Sequence, residues 1–525
     1  MARAISRPVA LALLALLLAA YFLQSRTYLN HDVAWVLWGT RAMIHGAVFG
    51  RDIIEPNPPL AWYLAWLPVL LADRAGWPVD VIYRLWVFIW AAISVAALLM
   101  TLRPMSQRLG DTTLAFVGAT AGLIVFLLPG REFGQREHLA LILILPYLGR
   151  AVCLHAGCDQ HRFRIDLILI GIAGGLGFAI KPYFYAVPLL IELAILYRHR
   201  SIRLALRAET LLIAAIALLY LGAILVWHRP YLDTAMPLAS AIYWSFEMPL
   251  SDVFYPLWVP GAALLLIAFQ CRRLKERSLP LVFLLAALGF MAALIVQMKG
   301  YSYHALPITC CTLLALSALF VAPQGRAQLT CAAYLCVAGL SLYSLTLWWL
   351  QANREFGADG KLYTSLIQSV NNEAARRGAN RGDPSSGDGG WSNGTKGGFL
   401  AISTHPVPGF PMAIYVNAPW TSRTNSQWFL PAIVSLREGA HPPDPVLLAF
   451  AERQAQEFIQ HDLAAEPWLV FVDTGIGRHG MMSSNIDFLT LYGEYPAFRD
   501  LWKAYSEAPA IGRYRVFVRR DSGLD

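Results

Sequence analysis

The sequence predicts an all-helical polytopic membrane domain followed by a small α/β domain outside the membrane. Three observations carry this. Hydrophobic residues make up 57% of the 525 and charged residues only 14%, where a soluble chain carries about a quarter charged. The mean hydropathy is +0.48, and the apolar residues gather in blocks suited to crossing a hydrocarbon core of about 30 Å as helix. After Leu350 the composition changes to that of a soluble domain.

About eleven blocks read as spans: 8–24, 82–102, 112–129, 138–155, 165–181, 183–197, 209–227, 255–271, 279–298, 306–322 and 329–350. The fifth and sixth are short and meet at Lys181-Pro182. The first is expected to be an uncleaved anchor, because no small-x-small site precedes Arg26 and further spans follow. Basic residues orient the chain. Arg3, Arg7, Arg103, Arg108, Arg150, Arg162, Arg164, Arg198, Arg200, Arg203, Arg207, the "CRRLKER" run at 271–277 and Arg326 all fall on one side. The positive-inside rule makes that side cytoplasmic. The net charge of +8 is then mostly topology and calls for no nucleic-acid partner. An odd number of spans puts the N-terminus in the cytoplasm and residues 351–525 in the periplasm of a bacterial-type inner membrane. All seven cysteines lie in spans or cytoplasmic turns, so the exported domain has none to pair, and their spacing suggests no metal cluster.

Four exterior segments separate the spans. The first, about 25–81, is long and aromatic. Residues 32–46 form a helix with Val33, Val36, Leu37 and Ile44 on one face and Trp35, Trp38 and Ala42 on the other. With the apolar stretch 60–72 after "PNPP", it suggests two helices lying in the membrane interface. The second segment is "PGREFGQREH" at 129–138, the third the aromatic 228–254, and the fourth the turn "KGYSYH" at 299–304. Beyond residue 350, "GFLAIS", "MAIYV", "WLVFVD" and "YRVFV" read as strands, with helices at about 361–376 and 445–461. A Gly/Ser-rich stretch at 378–398 reads as a flexible loop. "FVDTGIG" at 471–477 lacks the lysine of a phosphate-binding loop. The stretch 403–428, rich in aromatic and polar side chains, could cover the membrane cavity and bind an acceptor.

Ionisable groups cluster at the outer ends of the spans: His31, Asp32, Asp52, Glu55, Arg131, Glu132, Arg136, Glu137, His138, Lys181, Lys299 and His304. Charge at such depth is costly and tends to mark sites. Each also has an ordinary reading. Arg131 can snorkel to lipid phosphate, Glu132 can pair with it, and Asp32 can cap the helix that follows.

The combination resembles integral-membrane GT-C glycosyltransferases, in the branch of protein O-mannosyltransferases and aminoarabinose transferases. The stretch "HDVAWVLWGTRAMIHGAVFGRDIIEPNPPLAWYL" resembles that family's first exterior loop, with Asp32, Ala42, Gly46, Pro58, Pro59, Leu60 and Trp62 at the matching positions. "GLGFAIKPYFYAVPLL" resembles its Gly-rich helix ending in lysine, and "KGYSYHALP" its lysine-x-tyrosine-leucine-proline turn. The chain departs from the pattern at "EPNPP", where no lysine precedes Pro58, and at "GQREHL", where Glu137 stands for the usual aspartate.

The resemblance implies transfer of a sugar from a polyprenyl-phosphate donor to a glycan, lipid or protein acceptor on the outer face. Asp32 would be the general base, with inversion at the anomeric carbon. Arg136, His138, Lys181, Lys299, Tyr303 and His304 would hold the donor phosphate. His31, Glu55, Asn57 and Glu137 would support the acceptor, or serve a divalent metal at Glu55 with a distant histidine; the sequence leaves that metal open. Two other classes compete: a lipid-linked sugar transporter or flippase, and a non-catalytic assembly factor for envelope glycans. Transporters concentrate their charges near the midplane, whereas here they gather at one face.

Overall fold

The computed structural model describes residues 7–158, 165–320, 327–378, 396–481 and 484–520. Arg3, Arg162, Arg164 and Arg326, and residues 379–395 of the Gly/Ser-rich stretch, lie outside the described residues. Each of the eleven apolar blocks is helical. Among the described residues, eight helices are long and apolar enough to cross a membrane; Asp111–Leu127, Ile165–Ala179 and Ala186–His199 are shorter.

Packing divides the chain into two compact units that do not follow the linear boundary at residue 350. One comprises Met1–Arg26, Arg84–Ala223 and Met248–Leu350; the other Thr27–Tyr83, Ile224–Glu247 and Gln351–Asp525. The first exterior segment and residues 228–247 of the third therefore pack in the same unit as the C-terminal residues. The physical reason is their aromatic content, which needs protein surface to bury against.

In the first unit, small residues let helices approach closely, as in membrane bundles generally. On Ile165–Ala179, a Cβ at Gly171 would stand 2.8 Å from the Glu209 Cα, and one at Gly177 would stand 2.8 Å from Ile144. This is why the helix before Lys181 is glycine-rich. A Cβ at Gly289 on Ser278–Gln297 would meet the Val187 Cα at 2.6 Å. Gly289→Ala should cost about 1–3 kcal/mol through overpacking, read as a lower unfolding temperature in detergent.

A buried charge network closes one end of this bundle. Arg207 bonds Glu192 at 2.7 Å and Glu209 at 2.9 Å, Arg150 reaches Glu209 at 3.2 Å, and Tyr147 donates to Glu192 at 2.9 Å. These arginines belong to the set that the sequence assigns to the cytoplasmic side. Here they are compensated inside the protein.

The second unit contains a four-stranded sheet of β1 (Phe399–Ile402), β2 (Leu469–Asp473), β3 (Tyr505–Ile511) and β4 (Tyr514–Arg519), in the order β1-β2-β4-β3. β1 and β2 are parallel and fully buried, as their unbroken apolar runs require. The other pairings are antiparallel. The predicted helices run over Ala358–Arg376 and Pro445–Ala464, the latter capped by Asp444 accepting from the Leu447 N–H. "MAIYV" is not a strand. Met412 ends a short helix and the next residues turn, in a segment punctuated by Pro406, Pro408, Pro411 and Pro419 that cannot sustain a ladder. β3 takes the open edge instead. Its Ser506 and Glu507 are exposed, so it carries no apolar signal, and pairing with β4 makes it a strand.

The predicted 32–46 helix is His31–Ile44, and the 60–72 stretch forms Leu60–Leu64 and Trp66–Ala75. Protein within this unit satisfies the two-sided apolar pattern of the first. Trp35 and Trp38 stack with centroids 5.1 Å apart, and the Phe410 ring meets both edge-on.

Candidate functional site

The sequence-predicted residues form two groups, one in each unit. In the second unit, Asn30 caps the His31–Ile44 helix, its side chain accepting from the Asp32 N–H at 2.8 Å. The capping role expected of Asp32 thus belongs to Asn30, because the helix already begins at His31 and places Asp32 inside its first turn. Asp32 stands in the first turn, where the helix dipole favours a carboxylate. Its side chain is 16% exposed and His31 Nε2 lies 3.7 Å from its Oδ1.

Glu55 is buried, and both its oxygens accept hydrogen bonds. Trp35 Nε1 donates to Oε2 at 2.8 Å, while Asn57 donates to Oε1 from its N–H at 3.1 Å and its side-chain amide at 2.5 Å. Glu55 and Asn57 therefore order the loop before Pro58-Pro59. Among the described residues, no three histidine, cysteine or carboxylate side chains gather as a metal-binding group.

Nearby, Asp52 takes a hydrogen bond from the Val48 N–H at 2.8 Å and pairs with Arg51 at 2.8 Å. Burial alone would raise its carboxyl, but the bonds from Arg51 and Val48 and the charges of Arg51 and Arg423 outweigh it and hold the group below its usual range. A depressed folded value gives stability that is present above the unfolded value of about 4 and lost as pH falls through the folded one. Asp52→Asn should therefore lower the unfolding temperature at pH 7, and the gap to wild type should close below roughly pH 4.

In the first unit, Glu137 and Lys181 form a buried ion pair at 2.6 Å. Lys181 Nζ also approaches Gln297 Oε1 and His304 Nε2, each at 3.4 Å, and sits 5.3 Å from the Tyr303 ring centre. His304 Nε2 is 3.7 Å from Glu137. Two buried polar atoms of this cluster, Glu137 Oε2 and His304 Nδ1, have no hydrogen-bond partner among the described residues. Tyr303 packs edge-on to His304. Arg136 is buried at the start of the Arg136–Ala156 helix, and Lys299 lies on the turn between Ser278–Gln297 and Ser302–Phe320. Ser302, the first residue of the helix after that turn, donates to Glu132 at 2.7 Å.

His138 stands apart. Its Nδ1 accepts from the Gly134 N–H at 3.0 Å, and its Nε2 bonds the Val125 carbonyl at 2.9 Å. Both nitrogens are used by the backbone, so His138 fastens the 129–138 segment and offers no donor to a phosphate. The expected donor role does not fit it.

Sequence reasoning missed Gln297, which lies two residues before Lys299 at the end of the Ser278–Gln297 helix. It also missed His405 and His479. The His31 and His405 rings lie 4.6 Å apart, and His405 and His479 lie 5.4 Å apart. His405 stood in the 403–428 stretch already singled out, but nothing local announced its partner.

No protein-family model and no curated protein sequence matches the chain. Solved structures do. The crystal structure of ArnT from Cupriavidus metallidurans in the apo state superposes with a TM-score of 0.56 at 11% identity, covering 97% of each chain. Two structures of the Archaeoglobus fulgidus oligosaccharyltransferase, one with zinc and sulfate and one tethered to an acceptor peptide, align at TM-scores of 0.43 and 0.44. They cover 95% and 98% of this chain and 72% and 74% of theirs, at 12% and 11% identity. Those scores fall below the level that establishes a common fold. Over nearly its whole length, the chain therefore has the fold of the ArnT structure: the GT-C type that its ordered sequence motifs resemble.

Proposed function

We propose that the protein is a membrane glycosyltransferase of the GT-C type. It moves a sugar from a polyprenyl-phosphate donor to an envelope glycan, lipid or protein acceptor on the outer face of the membrane. The observation that carries this is the fold shared with ArnT along 97% of both chains, together with Asp32 in the first turn of the helix after the first span. The positive-inside distribution supports an outward-facing site and a periplasmic C-terminal segment in a bacterial-type inner membrane.

In the reaction, Asp32 takes the acceptor hydroxyl proton as the oxygen attacks the anomeric carbon. The carbon–phosphate-oxygen bond breaks on the opposite side, its electron pair leaves with the lipid phosphate, and the configuration inverts. Arg136, Lys299 and Lys181 balance the phosphate charge. Glu137 holds Lys181 in place, and Tyr303 and His304 supply polar contacts.

The test uses the full chain in lipid nanodiscs with undecaprenyl-phosphate-linked radiolabelled sugars and an envelope lipid extract as acceptor. Label should move to the extract. Movement of the donor across the bilayer without transfer would establish the transporter class instead.

A further inference from the structure

In open α/β sheets, ligands bind outside the carboxyl ends of the parallel strands. β1 and β2 are the parallel pair. The loop after β1 carries His405, and the loop after β2 carries His479. Both histidines come to the start of the His31–Ile44 helix, where the three imidazoles form a row beginning beside Asp32. His31 meets His405 at 4.6 Å and 62°, His405 meets His479 at 5.4 Å and 84°, and Phe246 closes the row on His479 at 4.7 Å.

His405 is built into this place. Its Nδ1 accepts from the Val407 N–H at 3.1 Å, and its own N–H donates to Ser403 Oγ at 3.1 Å. Ser403 in turn donates to the Val407 carbonyl at 3.0 Å and reaches Asp473 at 3.4 Å. Asp473, at the end of β2, is gripped by Arg513 through two bonds of 2.7 and 3.0 Å. An imidazole whose Nδ1 lone pair is taken by a backbone N–H carries its proton on Nε2. It can gain a second proton only by giving up that bond. The bond from Val407 thus favours the neutral ring of His405 with its proton on Nε2.

We propose that His31 is the group that empties Asp32 after each transfer, and that His405 is the positioning residue that holds His31 for this task. The inference rests on the reading of Asp32 as general base. Once Asp32 has taken the acceptor proton, it must lose that proton before another turnover. An imidazole is ordinarily a stronger base than a carboxylate by about two units, so Nε2 of His31, when it carries no proton, is the acceptor for the proton that Asp32 holds. The separation of 3.7 Å is within the looseness of a resting site. His31, 14% exposed, then returns the proton to water. The proton count closes: one leaves the acceptor hydroxyl and one reaches solvent, while the breaking-bond electron pair stays on the lipid phosphate. A neutral His405 beside His31 supports this better than a second titrating ring, which would repel the charged His31.

Two measurements on the full chain in nanodiscs test this. With ¹⁵N-labelled histidine, His405 should show a neutral ring protonated on Nε2, and Asp32→Asn should shift the His31 ring nitrogens without changing the His405 tautomer. A His405 protonated on Nδ1, or His31 nitrogens indifferent to Asp32→Asn, overturns the inference. With the undecaprenyl-phosphate-linked sugars as donors and the envelope extract as acceptor, His31→Ala should lower kcat roughly ten- to a hundredfold with little change in KM. Added imidazole should restore it, which a misfolded variant would not allow. His405→Gln should give a smaller loss in kcat that imidazole does not repair. Wild-type turnover in His31→Ala, or a loss that imidazole leaves untouched, sinks the hand-off. If Asp32→Asn is inactive in the same series, the base reading survives that failure; if Asp32→Asn turns over normally, the base reading has failed as well.

Discussion

Asp32→Asn should lower kcat/KM for sugar transfer by roughly 10²- to 10⁴-fold, the range typical of removing a positioned general base, and leave the fold almost unchanged. The two effects separate because the helix start does not depend on the carboxylate. Asn30 caps the helix and accepts from the Asp32 N–H, a backbone donor that asparagine retains. What asparagine gives up is the favourable meeting of a negative charge with the helix N-terminus, worth about 0.3–1 kcal/mol. Transfer rate and thermal unfolding measured on the same purified sample check this. Normal transfer by a folded Asp32→Asn protein would remove Asp32 from the chemistry.

The largest effect on stability should come from Lys181. Its ammonium is buried against Glu137 at 2.6 Å, and the Glu137 side chain is fully enclosed. Lys181→Met strands a carboxylate in the first unit, and breaking a buried pair in this way costs about 3–5 kcal/mol. The double variant Lys181→Met/Glu137→Leu should recover most of that loss, because it removes both desolvated charges together. Thermal unfolding in detergent separates the three proteins. A Lys181→Met protein as stable as the double variant would show that the pair is not energetically coupled. The double variant should still bind an undecaprenyl-phosphate lipid more weakly than wild type, since a cation of the proposed phosphate set is gone.

Much of this was legible in the sequence. The apolar helices were, because apolar character is a property of one block at a time, although eight of the described helices are long enough to cross a membrane where eleven spans were expected. The order of motifs from Asp32 through the Gly-rich helix to Lys299 was legible too, and it pointed to the fold that the ArnT structure shares. Local patterns read less well wherever two neighbouring residues could do the same work. Asn30 and Asp32 are both good caps, and only the backbone path showed which one is used. "MAIYV" read as a strand and is not one, while the segment of β3 drew no reading and is one, since strand formation depends on a partner edge that β4 gives to the second and nothing among the described residues gives to the first.

The sequence by itself therefore determined the membrane class, the ordered helices and the presence of an acid just beyond the first span. Tertiary structure alone decided what surrounds each charged group. It paired Lys181 with Glu137, turned His138 onto backbone, and brought His405 and His479 from the end of the chain to His31 near its start. Hydropathy and spacing report on neighbours along the chain. Ring contacts and buried ion pairs join residues far apart along it, and packing fixes them.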